Sequence, residues 1–153
     1  MRKDTTVIKD ALRQIEQLNI RLAALNAISK IISSSLNLDE MLSSTIDKIH
    51  DVPEVDSVSI YLLNDGGKVL NLTAHKGLSE NLTNNPFMRS REPGNGLLGQ
   101  TLLDGKPKVV DNTLQSIGPD VDLLIEEGFQ SSVYIPLTTK GTSIGVMCVS
   151  SLN

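Results

Sequence analysis

Residues 5–36 contain neither proline nor glycine and carry the most regular hydrophobic pattern of the chain. Ile8, Ala11, Ile15, Leu18, Leu22, Leu25 and Ile32 recur at alternating spacings of three and four, with Ser29 as the one polar interruption. That spacing puts the apolar side chains on one narrow stripe of a long helix, the a and d positions of a heptad repeat. The outer face holds Lys9, Arg13, Gln14, Glu16, Gln17 and Arg21. A narrow stripe on a polar helix is expected to pair with a second copy of itself; the alternative is a long helix packed on its own domain. From Ala23 onward the apolar arc widens to Ala24, Ala27, Ile28 and Ile31, the breadth a helix needs where it docks on a globular body.

A second helix is expected in "SLNLDEMLSSTIDKIHDV", capped by Asp39, burying Met41, Leu42, Ile46 and Ile49, and ended by Pro53. The pattern then changes period. Val58, Ile60 and Leu62 alternate with Ser59, Tyr61 and Leu63, the turn "NDGG" follows, and Leu70, Leu72 and Ala74 alternate on the return, which predicts a β-hairpin. Residues 78–95 are polar and punctuated by proline, a loop with a short helix. "GLLGQTLLDGK" predicts a short helix closed by Gly105, "PKVVDN" a short strand, and "GPDVDLLIEEG" another short helix closed by Gly128. "SSVYIPLTTKGTSIGVMCVSS" predicts a closing hairpin that turns near Lys140-Gly141. The order gives an α+β fold: a mostly antiparallel sheet of five or six strands, helices on both faces, and a long N-terminal helix.

The stretch "EPGNGLLGQ" places Gly94, Gly96 and Gly99 in the spacing G-x-G-x-x-G. A dinucleotide-binding loop needs a buried strand in front of those glycines, and "NNPFMRSREP" cannot supply one. The glycines are therefore read as shaping a loop and a helix start.

Composition narrows the picture further. With 153 residues, 39% hydrophobic and 21% charged, the chain is one globular domain with an appendage. A net charge of -4 without a basic patch argues against nucleic-acid binding. No apolar run approaches the length of a membrane span, the polar N-terminus is no secretory signal, and a single cysteine fits a reducing, cytoplasmic setting. The sequons at Asn71 and Asn81 are then accidental.

Three stretches, in order, resemble the GAF domain family of small-molecule sensor modules: "DSVSIYLLNDGGKVLNLTAHKGL", "GNGLLGQTLLDGKPKVVDN" and "SSVYIPLTTKGTSIGVMCVSS". The resemblance spans roughly residues 22–152. It implies a signalling helix over 1–25 that continues into a sensor domain over 26–153. GAF sensors usually end in a long helix leading to the next module, whereas this sequence ends at "SSLN". The C-terminal output helix and output module are therefore expected elsewhere in a parent chain, a sensor histidine kinase of a two-component system, a cyclase or a related regulator.

No catalytic or metal site is expected. The two histidines, His50 near a helix end and His75 in "TAHKG", lack companion carboxylates or thiolates. The family's methionine sulfoxide reductases need two cysteines, and its bilin-binding members a suitably placed cysteine, commonly beside a histidine; Cys148 stands alone. The cyclic-nucleotide signature of asparagine, lysine and phenylalanine is missing. What the resemblance leaves is an apolar pocket with a few polar groups, between the sheet and the short helices. By placement the ligand-binding candidates are Tyr61, His75, Phe87, Met88, Arg89, Leu98, Phe129, Tyr134 and Cys148, and Arg89 or Arg91 could meet an anion. The expected function is a non-catalytic sensor that dimerises through its N-terminal helix and binds an unidentified small molecule, its cofactor unknown. A ligand-free dimerisation scaffold and a haem sensor using His75 are the alternatives.

Overall fold

The computed structural model describes the backbone of residues 2–28, 35–111 and 119–152, with side chains over 7–20, 38–111 and 119–152. Two helices come first, α1 (Arg2–Ile28) and α2 (Ser35–His50), followed by the hairpin β1 (Ser57–Leu63) and β2 (Leu70–Lys76). Residues 78–95 hold two single-turn helices, α3 (Glu80–Thr83) and α4 (Pro86–Arg89), and a two-residue strand, β3 (Ser90–Arg91). Then come α5 (Gly96–Asp104), β4 (Lys108–Asp111), α6 (Pro119–Glu126) and the closing hairpin β5 (Ser131–Thr139) and β6 (Thr142–Ser151). The six strands form one antiparallel sheet in the order β3-β2-β1-β6-β5-β4. The first and last long strands thus meet at its centre. Lys140 and Gly141 both take positive φ in the closing turn, the backbone form that matches strand twist in a two-residue hairpin.

Because side chains alternate along a strand, the central strands present two unlike faces. Val58 and Ile60 of β1, Val133, Ile135 and Leu137 of β5, and Met147 and Val149 of β6 form a face that is apolar at its central positions. It packs against Ala11, Ile15 and Leu18 of α1 and Leu42, Ile46 and Ile49 of α2. The opposite face, under α3, α4, α5 and α6, holds Tyr61, Tyr134, Val146 and Cys148.

Three expectations are corrected here. Of the heptad stripe within the described side chains, Ala11, Ile15 and Leu18 are covered by the chain's own sheet and α2, Ile8 is half-buried against the same cluster, and Asn19 Oδ1 accepts a hydrogen bond from Thr138 N at 3.1 Å. The stripe satisfies itself in cis because the sheet offers a flat aliphatic partner. Leu22, Leu25, Ile32 and the widened arc lie outside the described side chains. Helix α2 starts at Ser35, so Asp39 sits inside it rather than at its cap. In β2 a register shift opposite Ile60 and Tyr61 leaves Thr73 unpaired. Leu72 therefore packs with one core cluster and Ala74 with the other.

Candidate functional site

The face beneath the short helices is unusual for a core. Ser57, Ser59 and Tyr61 of β1, Tyr134 of β5, and Cys148 and Ser150 of β6 line a chamber roofed by Leu78, Met88, Arg91, Leu98, Asp120 and Leu124. Ser132 and Ser150 share a hydrogen bond of 2.7 Å there, and Cys148 Sγ lies 3.6 Å from Ser150 Oγ. The remaining cavity is small, about 10 Å³ of space for the centre of a water molecule, which is room for about one water.

Its roof is built around a buried ion pair. Arg91 Nη1 donates to Asp120 Oδ2 at 3.0 Å, with 1% and 2% of the two side chains exposed. Asp120 also completes the start of α5. The N-cap residue Asn95 makes no side-chain cap bond; instead Leu97 N and Leu98 N donate to the Asp120 carboxylate at 3.2 and 3.0 Å. Those amides are donors a helix cannot satisfy internally, and the helix dipole favours a negative charge beside them. Asp120 Oδ1 further accepts from Val121 N at the start of its own helix. The carboxylate reaches so close because position 96 is glycine at φ +69°, where a Cβ would lie 2.9 Å from the Asp120 carboxyl group. A Cβ at Gly99 would come within 2.7 Å of Gly94 N. The G-x-G-x-x-G spacing thus does shape an anion cradle, and the anion in it is the chain's own.

Arg91 is held on its other sides by rings. Its guanidinium carbon lies 4.3 Å from the centre of Phe87 and 5.3 Å from that of Tyr61, in cation–π range. Nη2 points to Met88 Sδ at 3.6 Å, and the Tyr61 hydroxyl donates to Met88 O at 2.6 Å. Two polar atoms are left over. Arg91 Nε and the Tyr134 hydroxyl are buried without a hydrogen bond of standard geometry among the described residues. Burial raises both phenols well above their ordinary ionisation range, and it pushes the Cys148 thiol up to about 11. All three groups are therefore protonated near neutral pH.

Of the residues expected from sequence, Tyr61, Met88, Leu98, Tyr134 and Cys148 line this chamber. Phe87 sits behind it, stacked on Arg91, and Phe129 is buried in the same cluster without lining the cavity. His75 and Arg89 are exposed and do not line the chamber, so His75 offers no axial ligand to it. Among the described residues no group of three or more His, Cys, Asp or Glu could hold a metal ion. Sequence reasoning missed Asp120 and the serines. The signal for the serines was present: "SVSIY" and "CVSS" alternate small polar with aliphatic residues, a sheet face with hydroxyls pointing inward. Asp120 gave no such signal, since an acid at a helix start reads as that helix's own cap.

The family profile described as "GAF domain" matches residues 35–153. The chain belongs to the GAF domain family. Among curated proteins it is similar to the Nif-specific regulatory proteins of Azospirillum lipoferum and Azospirillum brasilense, each 29% identical over 141 residues, covering 88% of this chain and 22% of the relative. The chain thus spans about a fifth of the length of those relatives. Among solved structures, the GAF domain of a Coxiella burnetii phosphoenolpyruvate-protein phosphotransferase superimposes with a TM-score of 0.64 at 19% identity, covering 95% of this chain and 79% of that one. The free methionine-R-sulfoxide reductase of Neisseria meningitidis, solved with its substrate, gives 0.61 at 18% identity over 91% and 74% of the two chains. These structural likenesses establish the GAF fold. The chamber lies between the GAF sheet and its short helices.

Proposed function

We propose that this GAF domain is a non-catalytic small-molecule sensor within a longer cytoplasmic regulatory protein. The observation that carries the reading is the contrast between the two sheet faces. One is apolar at its central positions and serves α1 and α2. The other spends its central positions on serines, tyrosines and a thiol, and leaves the Tyr134 hydroxyl without a hydrogen bond of standard geometry, facing the Cys148 sulfur. A core needs no such groups, and a buried hydroxyl that meets only a weak sulfur acceptor forgoes part of the roughly 1–3 kcal/mol that a full partner would save. A ligand with a matching acceptor would meet it.

The non-catalytic part rests on Cys148. It is the one cysteine of the chain, it is buried, and burial pushes its thiol up to about 11. A thiol must ionise to attack and a second must resolve the product, so reductase chemistry of the Neisseria type has no foothold in this chamber. The output module is expected elsewhere in the parent protein, as the roughly fourfold length of the Azospirillum regulators suggests. Among the described side chains, dimerisation through α1 would use its outer face, where Leu12 and Ile20 are exposed.

A scaffold without ligand is the second reading, and the small size of the cavity favours it. The two are separated by the tyrosines. The chain has two, Tyr61 and Tyr134, and both line the chamber. Tyrosine-labelled protein titrated with pooled small metabolites should show saturable shifts of both sets of ring signals in NMR spectra. Ring signals that stay fixed across the pools would leave the scaffold.

A further inference from the structure

We infer that Asp120 is a built-in stand-in for the carboxylate of the ligand, and that a small organic acid opens the chamber by displacing it. The inference rests on the sensor reading and names the ligand class. The cradle has three donors converging on one carboxylate from outside its own helix: Leu97 N, Leu98 N and Arg91 Nη1. It also has one donor too many. Arg91 Nε, on a residue 4% exposed, makes no hydrogen bond of standard geometry among the described residues, and the Tyr134 hydroxyl, on a residue 1% exposed, faces only the weakly accepting Cys148 sulfur. Asp120 satisfies the helix start but engages Arg91 by a single bond, where a guanidinium can grip a carboxylate by two. A free acid carries its carboxylate on a body that α6 does not tether. It can turn to take Arg91 in the two-bond form and present a second polar group to Tyr134, with its carbon body against Leu98 and Leu124 of the roof.

The exchange also explains why a polar chamber is nearly full. With Asp120 in the cradle the roof is shut; withdrawal of its carboxylate moves the start of α6 away from α5. The charge count is unchanged by the swap, because one buried carboxylate replaces another beside Arg91. A neutral or cationic ligand would leave Arg91 unpaired if it displaced Asp120, and that is the costly alternative. The ligand is therefore an acid.

The test is chemical rescue with acetate on the 153-residue chain. Asp120→Ala removes the internal carboxylate and should melt lower than wild type. Sodium acetate, against sodium chloride of equal ionic strength, should raise its melting temperature saturably, by about 3–6 °C at ten times the dissociation constant. Wild type should respond much less, and Arg91→Met/Asp120→Ala should not respond. An Asp120→Ala protein that folds yet gains no more from acetate than from chloride overturns the proposal. Should Asp120→Ala fail to fold, Asp120→Asn keeps the shape without the charge. There Cys148, which lines the chamber, should be alkylated at least about tenfold faster than in wild type, since exchange-limited access follows the population of the open form. An unchanged rate contradicts the latch. Failure of the sensor reading looks different. A chain that binds a neutral metabolite while Asp120→Ala ignores acetate keeps the sensor and loses the latch. A chain rescued by acetate keeps the latch whether or not a metabolite is later found.

Discussion

Arg91 and Asp120 meet across the chamber at 3.0 Å, one from the end of a two-residue strand and the other from the first turn of α6. Neither reaches water, and between them they join β3, α5 and α6. The pair is where the fold spends stability on a charged arrangement inside a core.

Removing one partner of such a pair strands the other. Arg91→Met should cost about 3 kcal/mol, because the Asp120 carboxylate still has the amides of Leu97 and Leu98. Asp120→Leu should cost more, about 4–5 kcal/mol, since it strands both the guanidinium and those amides. The double variant should be less destabilised than the sum. Urea denaturation of the four proteins gives the coupling, and additive losses would show that the two charges do not act as a pair.

The two tyrosines should respond oppositely to losing their hydroxyls. Tyr61→Phe breaks the 2.6 Å bond to Met88 O and should cost about 1–1.5 kcal/mol. Tyr134→Phe removes a buried hydroxyl that makes no hydrogen bond of standard geometry and faces only the weakly accepting Cys148 sulfur, so stability should hold or rise by up to about 1 kcal/mol. Melting curves of the two variants decide the order, and a larger loss in Tyr134→Phe would mean that this hydroxyl is already satisfied.

Stability should fall in mild alkali. An unfolded cysteine titrates near 9, whereas burial holds Cys148 protonated to about 11. Between those values the folded chain retains a proton that the unfolded chain has released, so unfolding gains as pH rises. The buried phenols, also raised, continue the trend above their ordinary value of 10. The urea midpoint should therefore decline from about pH 9 upward, and Cys148→Ala should soften the first part of that decline. An identical slope in Cys148→Ala would contradict the assignment.

Docking of α1 on its own sheet predicts a stability that does not depend on assembly. Leu18→Ala and Ile15→Ala delete buried side chains of the aliphatic cluster and should each cost about 2–4 kcal/mol. The loss should be the same at low and high protein concentration. A melting temperature that rises with concentration in wild type, and less steeply in these variants, would instead place the stripe between two copies.

The architecture was legible in the sequence because it is written in periodicity. Val58, Ile60 and Leu62 alternate as strand residues must, and the Lys140-Gly141 turn carries its own chemistry. The partner of the α1 stripe was not legible, because Ala11, Ile15 and Leu18 would suit a second helix as well as they suit the face of Ile135 and Met147. The chamber was half legible. Large residues such as Tyr61, Tyr134 and Leu98 stand out by size, while Ser57, Ser59 and Ser150 do not, although they give the wall its character. Asp120 was invisible for a physical reason: it caps a helix that starts 24 positions before it, and only the tertiary fold brings α6 to Gly96. That His75 lies outside the chamber was not legible, because alternation gives a strand's faces but not where its cover ends, and Arg89, the last residue of α4, sits in a polar segment whose short helices leave no periodicity to read.

The central claim is that a small molecule occupies the chamber, and native mass spectrometry tests it most directly. The chain, purified gently and then incubated with a small-molecule filtrate of cell extract, should carry one acidic molecule per protomer, released on denaturation. A bare chain mass before and after incubation, from protein whose melting temperature the filtrate also leaves unchanged, would contradict the claim and make this GAF domain a scaffold.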